Sequence, residues 1–272
     1  MIPTDVVSSW ADLQERLFGD SWREDIGRFR SSHVYRGSRF LTTGLSRLGG
    51  NPRQVESHML RAFRKYASTA AISDSTVWSW LSLAQHHSLP TRLLDWSYSP
   101  LVALHFATAA RTEMDQDGTV WMVDFRKTNG FLPRQFRKAL DEAGSDVFTT
   151  DLLAQVTPDL AALDGLGEPV LLFLEPPSLD ARIVNQFALF SLLSSAEADL
   201  ESWLTAHEGV ARRLVIPAAL KWEVRDKLDQ ANITERVLFP GLDGLSRWLA
   251  RYYGTRGRGG PNGQPGPDGE DG

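Results

Sequence analysis

The chain contains no cysteine, which removes disulfides, thiolate metal sites and a thiol nucleophile together. That composition fits a reducing compartment, and the cytoplasm is the expected location. Eighteen apolar residues never run together, and the opening MIPTDVVSSWADLQERL lacks a basic start followed by an apolar core, so neither a membrane span nor a secretory signal is expected. Excess positive charge is also missing: 29 Lys and Arg face 34 Asp and Glu, a net charge of -5. Any site for a polyanion must therefore be local rather than a property of the whole surface. No GxGxxG opens a helix after a strand, and GxxxxGK[ST], GxSxG and HExxH do not occur, so dinucleotide-fold, P-loop, serine-hydrolase and zincin chemistry lack their signatures. What is present suffices for a substantial core, since 42% of the 272 residues are hydrophobic.

Helical spacing of Trp10, Leu13, Leu17 and Phe18 after Ser8-Ser9 predicts an opening amphipathic helix. A strand is expected over His33-Gly37, a second helix through Val55, Met59, Leu60, Phe63, Tyr66 and Ala67, and a third from Val77 to His87. Pro90 forces a turn near Ser88-Leu89, and Pro100 suits the first turn of a helix running to Phe106. Asp117-Gly118 leads into a strand over Thr119-Phe125, and residues 126-168 read as a helical insertion. Val170-Glu175, Ile183-Leu193 and Arg212-Pro217 are expected to supply the sheet of the second half, followed by helices over Ala218-Leu228 and Leu242-Tyr252. Residues 254-272 are rich in Gly and Pro and hold no apolar side chain, so a disordered tail is expected after a domain over 1-253. Helices and strands interleaved at irregular intervals predict an α+β fold.

Polar groups crowd into one segment: Gln85, His86, His87, Thr91, Arg92, Asp95, Trp96 and Ser97 fall within thirteen positions. Arg92 and Asp95 flank two leucines, which suggests polar ends around an anchored middle and leaves open an internal Arg92-Asp95 pair that fixes the loop. Adjacent histidines point about 100° apart on a helix and cannot chelate one ion as i and i+4 residues do, so no metal is expected. His86 then reads as a hydrogen-bonding wall of a site or as a satisfied core residue.

Tyr35-Arg36-Gly37, followed by WSWLSLAQHHSLPTRLLDWSYSPLVALHFA over Trp78-Ala107, resembles the FRG-domain family. Later blocks, DGTVWMVDF, Arg182-Phe187 and the closing stretch from Ile216, are similar to that family too, so the resemblance runs over about residues 20-252. It implies an ADP-ribosyltransferase-like fold, in which two small split sheets with flanking helices hold NAD between them. It also implies a role of the toxin or phage-defence type, with a protein or nucleic-acid acceptor and a neutralising antitoxin as partners. On that resemblance Arg36 grips a phosphate or ribose and Gly37 lets the backbone come close. Without the family, Arg36 reads equally as a strand-end ion pair. Thr91, Arg92, Asp95, Trp96 and Ser97 match the block under the nicotinamide ribose, and Gln85 and His86 precede it. Trp96 is open to two roles, stacking on nicotinamide or packing in the core.

Gln186 stands where better-known ADP-ribosyltransferases supply a glutamate. A neutral amide is a weak stabiliser of the positive oxocarbenium character that develops as the nicotinamide bond breaks. The resemblance therefore makes Asp95 the catalytic acid to expect, with Gln186 orienting ribose or acceptor and Glu175 a second choice of carboxylate. Two classes of function remain: an NAD-consuming ADP-ribosyltransferase or NAD glycohydrolase, and a non-catalytic nucleotide- or nucleic-acid-binding module. An interaction domain whose polar motif serves folding alone is the third.

Overall fold

Strand β1 (Thr4–Val6) leads into helix α1 (Trp10–Phe18), where the Ser9 hydroxyl accepts the Asp12 amide and caps the first turn. The computed structural model describes residues 1–19, 32–67, 76–178 and 180–254, together with the backbone of two antiparallel strands of two residues each, β2 (Trp22–Arg23) and β3 (Arg28–Phe29). The expectation for the tail falls on residues 255–272, which lie outside the described residues. Strand β4 (His33–Gly37) and helix α2 (Pro52–Tyr66) follow, the latter with Asn51 as its cap and Pro52 in its first turn. Helix α3 (Val77–His86) stops where Ser88 takes a φ of 64° and Pro90 cannot continue a helix.

The motif itself forms strand β5 (Leu94–Ser97) and helix α4 (Pro100–Thr108), capped by Ser99. After β6 (Gly118–Asp124) the chain enters α5 (Phe125–Asn129), because Asp124 accepts the amides of Arg126 and Lys127. Helix α6 (Arg134–Ala143), strand β7 (Phe148–Thr149), α7 (Thr150–Val156) and α8 (Leu160–Asp164) then precede β8 (Leu171–Glu175). The expected strand over Ile183-Leu193 divides in two. Asp180 accepts the amides of Arg182 and Ile183 and starts helix α9 (Ala181–Asn185), Phe187 leaves it at a φ of 48°, and only then does β9 (Ala188–Leu193) begin. Helix α10 (Leu200–Ala206), strand β10 (Ala211–Ile216) and helices α11 (Ala218–Gln230), α12 (Glu235–Leu238) and α13 (Leu242–Tyr252) complete the α+β fold.

Eight strands form one sheet in the order β1-β10-β6-β4-β5-β9-β8-β7. Its edge pairs, β1 with β10 and β7 with β8, are parallel and the rest antiparallel. In place of two separate facing sheets, two four-stranded halves meet at β4 and β5 through a single register pair, Tyr35 and Ser97. Beside that pair a side chain does the work of the ladder: Arg36 Nη1 donates to the Asp95 carbonyl at 2.6 Å.

Strand alternation explains the core. Val34, Leu94, Trp96, Trp121, Val123, Phe173 and Leu189 line one face, continuous across both halves and covered by α10. On the opposite face, α1, α4 and α11 cover the first half around Tyr35, Val120 and Leu214, while α2, α3 and α6 to α8 cover the second around Trp78, Phe136 and Leu172. Two separate helix groups thus share one face, and a cleft opens between them at the β4/β5 junction. Among the described residues no helix is long and apolar enough to cross a membrane.

Candidate functional site

Because Leu94 and Trp96 point into the core, Asp95 between them points out, into the cleft, with its side chain exposed. Its carboxylate is held: Gln85 Nε2 donates to Oδ2 at 3.0 Å, the Thr91 hydroxyl donates to Gln85 Oε1 at 2.7 Å, and the Leu93 amide donates to the Thr91 oxygen at 3.0 Å. The last turn of α3 and the Pro90 bend therefore set the orientation of one acid.

Arg36 approaches from β4. Apart from the bond to the Asp95 carbonyl, its buried Nε has no hydrogen-bond partner, and no carboxylate oxygen of the described residues lies within 4.0 Å of it. Burial lowers its pKa from the ordinary arginine value, an effect opposed by the charge of Asp95 and reinforced by Arg47. A guanidinium nevertheless remains charged at any physiological pH. Next to it Gly37 is obligatory: a Cβ there would sit 1.9 Å from the Ala103 carbonyl oxygen, so its absence lets α4 lie directly on β4. That close approach makes Val102, Ala103 and Phe106 one wall of the cleft.

Gln186 closes the other side. Its backbone carbonyl accepts the Ser97 hydroxyl at 2.7 Å, Ser97 in turn accepts the Ser99 amide at 3.0 Å, and the Gln186 amide group donates to the Leu238 carbonyl at 2.9 Å. Arg36, Asp95 and Gln186, 59 and 91 positions apart in the chain, thus line one cavity of about 230 Å³. A neighbouring cavity of about 240 Å³, lined by Gln85, His86 and Pro90, shares Asp95, Arg182, Gln186 and Ala188 with it. Taken together they fall in the roughly 300–1,000 Å³ range of small-molecule sites.

The other motif residues are held by groups of the fold, although His86 and Trp96 also border the cavities. Arg92 is buried and meets Glu56 at 2.6 Å and Asp164 at 2.9 Å, and it also donates to the Ser194 carbonyl at 2.9 Å. Burial lowers its pKa, but the two carboxylates outweigh that and hold it above the ordinary value. An Arg92-Asp95 pair does not form, because the bend at Arg92 turns inward while Asp95 faces the cleft. Trp96 packs in the core against Phe173 and donates its indole N–H to Ser191 at 2.8 Å. His86 Nε2 lies 2.8 Å from Asp180, the residue that caps α9. Glu175 accepts from the Tyr98 hydroxyl at 2.9 Å and lines neither cavity.

Arg182 is the residue that the sequence reading missed. It lines both cavities from the first turn of α9, and its guanidinium lies 5.3 Å from the centre of the Phe239 ring. Asp180 two positions earlier is the local signal, since Asp-x-Arg at a helix start places an arginine at the helix mouth.

Residues 31–116 match the family model of the FRG domain. The match takes in Arg36 and the whole polar segment to Ser97, and it ends before Arg182 and Gln186. No curated protein and no solved structure matches the chain.

Proposed function

Starting from an FRG domain whose central segment borders a cleft, we propose that this protein is an NAD-consuming enzyme of the ADP-ribosyltransferase type. The observation that carries the reading is Arg36: a guanidinium with a buried, unpartnered Nε and no carboxylate within 4.0 Å, in the wall of the cavity that Asp95 also lines. A cation in a partly dry site with Asp95 nearby but no carboxylate in direct contact can take an anionic ligand, and a pyrophosphate offers paired oxygens to its donor fork. Asp95 supplies the opposite charge, fixed by Gln85, where positive character would develop at C1′ of the ribose.

In the transfer, the bond between ribose C1′ and the nicotinamide nitrogen breaks and nicotinamide leaves with its electron pair. A lone pair on an acceptor oxygen or nitrogen forms the new bond to C1′, and the acceptor's proton passes to Asp95 and on to solvent. With water as acceptor the same step is NAD hydrolysis. Gln186 and Arg182 complete the wall and orient ribose and acceptor. The biological setting implied by the resemblance is a toxin or phage-defence effector held in check by a neutralising partner.

Incubation of the purified protein with NAD, alone and with candidate acceptors, should release nicotinamide, and Arg36→Ala should slow that release on the order of 10²-fold. Release no faster than that of Arg36→Ala under every acceptor condition defeats the reading. Gln186, a neutral group in the third block, favours one alternative, a module that binds a nucleotide without turning it over. Calorimetric NAD binding abolished by Arg36→Ala, with no nicotinamide formed, would establish that alternative.

A further inference from the structure

Three arginines near the cleft, Arg182, Arg236 and Arg247, have no carboxylate partner within 4.0 Å among the described residues. Each lies over an aromatic ring instead. Arg182 and Arg247 sit 5.3 Å and 5.2 Å from the same Phe239 ring, and Arg236 sits 4.8 Å from Trp248, which stacks on Tyr252. Phe239 also meets Phe106, a wall of the cleft, edge-on at 6.0 Å. The rings and cations therefore form a track that begins at the cleft mouth and runs along α12 and α13.

Two of the nearby acids are already engaged by other cations: Glu235 and Asp229 meet Arg251 at 2.7 Å, and Glu235 is also bound to Arg225 at 2.8 Å. Arg182, Arg236 and Arg247 are exposed, as are the rings of Phe106 and Tyr252 beside them, and exposed cations interspersed with open rings are the arrangement that follows a single strand, phosphates on the cations and bases on the rings.

We propose that the acceptor of this enzyme is single-stranded nucleic acid, drawn along the Arg182–Phe239–Arg247 and Arg236–Trp248 track so that one nucleotide enters the cleft. The proposal rests on the ADP-ribosyltransferase reading for its chemistry, but the track can be tested without it. A nucleophilic nitrogen or hydroxyl of that nucleotide would supply the electron pair for the new bond at C1′, with nicotinamide as leaving group and the displaced proton passing to Asp95. The overall acidity of the chain is no obstacle, because the track is local.

The test uses the full chain and fluorescein-labelled unstructured oligoribonucleotides and oligodeoxyribonucleotides, with a duplex for comparison. Fluorescence anisotropy should show preference for a single strand. The double variant Arg236→Gln/Arg247→Gln should weaken that binding about tenfold and flatten the log–log salt dependence by about 1.4, the value for two lost phosphate contacts on a single strand. Neither residue lines the cavities, so nicotinamide release into water should be unchanged in the variant. With NAD carrying a labelled adenylate, label should appear on the oligonucleotide. Absence of single-strand binding, binding indifferent to the double substitution, or label found only on protein overturns the proposal. Failure of the enzymatic reading is seen separately, as the absence of nicotinamide release in the unsubstituted protein.

Discussion

Arg92 and Arg36 both withdraw from solvent, yet Arg92 meets Glu56 at 2.6 Å and Asp164 at 2.9 Å, whereas Arg36 meets a backbone carbonyl at 2.6 Å and leaves Nε unpartnered. The first cluster ties α2 and α8 to the bend before β5 and is complete in itself. Around Arg36 no carboxylate of the described residues comes within 4.0 Å, and the guanidinium makes one hydrogen bond, to the Asp95 carbonyl. A buried charge with its partners in place supports the fold, and one without them is the basis of the anion-binding role proposed for Arg36.

The largest expected effect separates these two arginines by stability. Arg92→Met leaves Glu56 buried without its partner and should lower the unfolding free energy by about 3–5 kcal/mol in urea titration. Arg36→Met removes a cation with no carboxylate in direct contact and should cost only about 1 kcal/mol, through the lost bond to the Asp95 carbonyl. Equal losses for the two variants would break the comparison. Next in size, Asp95→Asn should reduce nicotinamide release on the order of 10²- to 10³-fold while the urea midpoint stays nearly unchanged. A fall in midpoint with activity retained would instead assign the acid to folding.

A third prediction concerns the other buried ion cluster, around His105. Burial first, and then the charge of Arg225 at 2.9 Å, push the His105 pKa down from 6.5 to about 4, against the opposing charge of Glu235. The unfolded chain binds a proton that the folded imidazole refuses, so this contribution to stability is complete above pH 6.5 and declines as the pH falls toward about 4. Thermal melts of His105→Gln should show a flatter profile across that window than the unsubstituted protein. The smallest effect is expected from Gln85→Leu, which removes one donor from Asp95. It should slow nicotinamide release about fivefold, equivalent to roughly 1 kcal/mol, and an unchanged rate would show that the acid needs no such positioning.

Much of the scaffold can be read from local chemistry. Ser9, Pro52, Pro90 and Pro100 mark element ends through capping and proline geometry that involve only a few neighbouring residues. The α9 turn was hidden inside an apolar run, because its start depends on a single Asp180 cap and its end on Phe187 in a left-handed conformation. Arg92 and Arg36 looked alike in one dimension, since what distinguishes them is Glu56 and Asp164 on one side and an empty-handed Nε on the other. Arg182, read only as the start of a family-like block, was not assigned to the site for the same reason: it lies over Phe239, 57 positions later.

By itself the sequence determined the α+β class, the starts of α1, α3, α4, α11 and α13 and the polar segment from Gln85 to Ser97, because caps, prolines and apolar periodicity act over a few residues. Only the tertiary structure decided that a single register pair joins the two halves of the sheet, and that Arg36, Asp95, Arg182 and Gln186 share a cleft while Arg92 does not. The physical reason is that a charge takes its role from whichever groups surround it in space, and those groups come from strands and helices far apart in the chain.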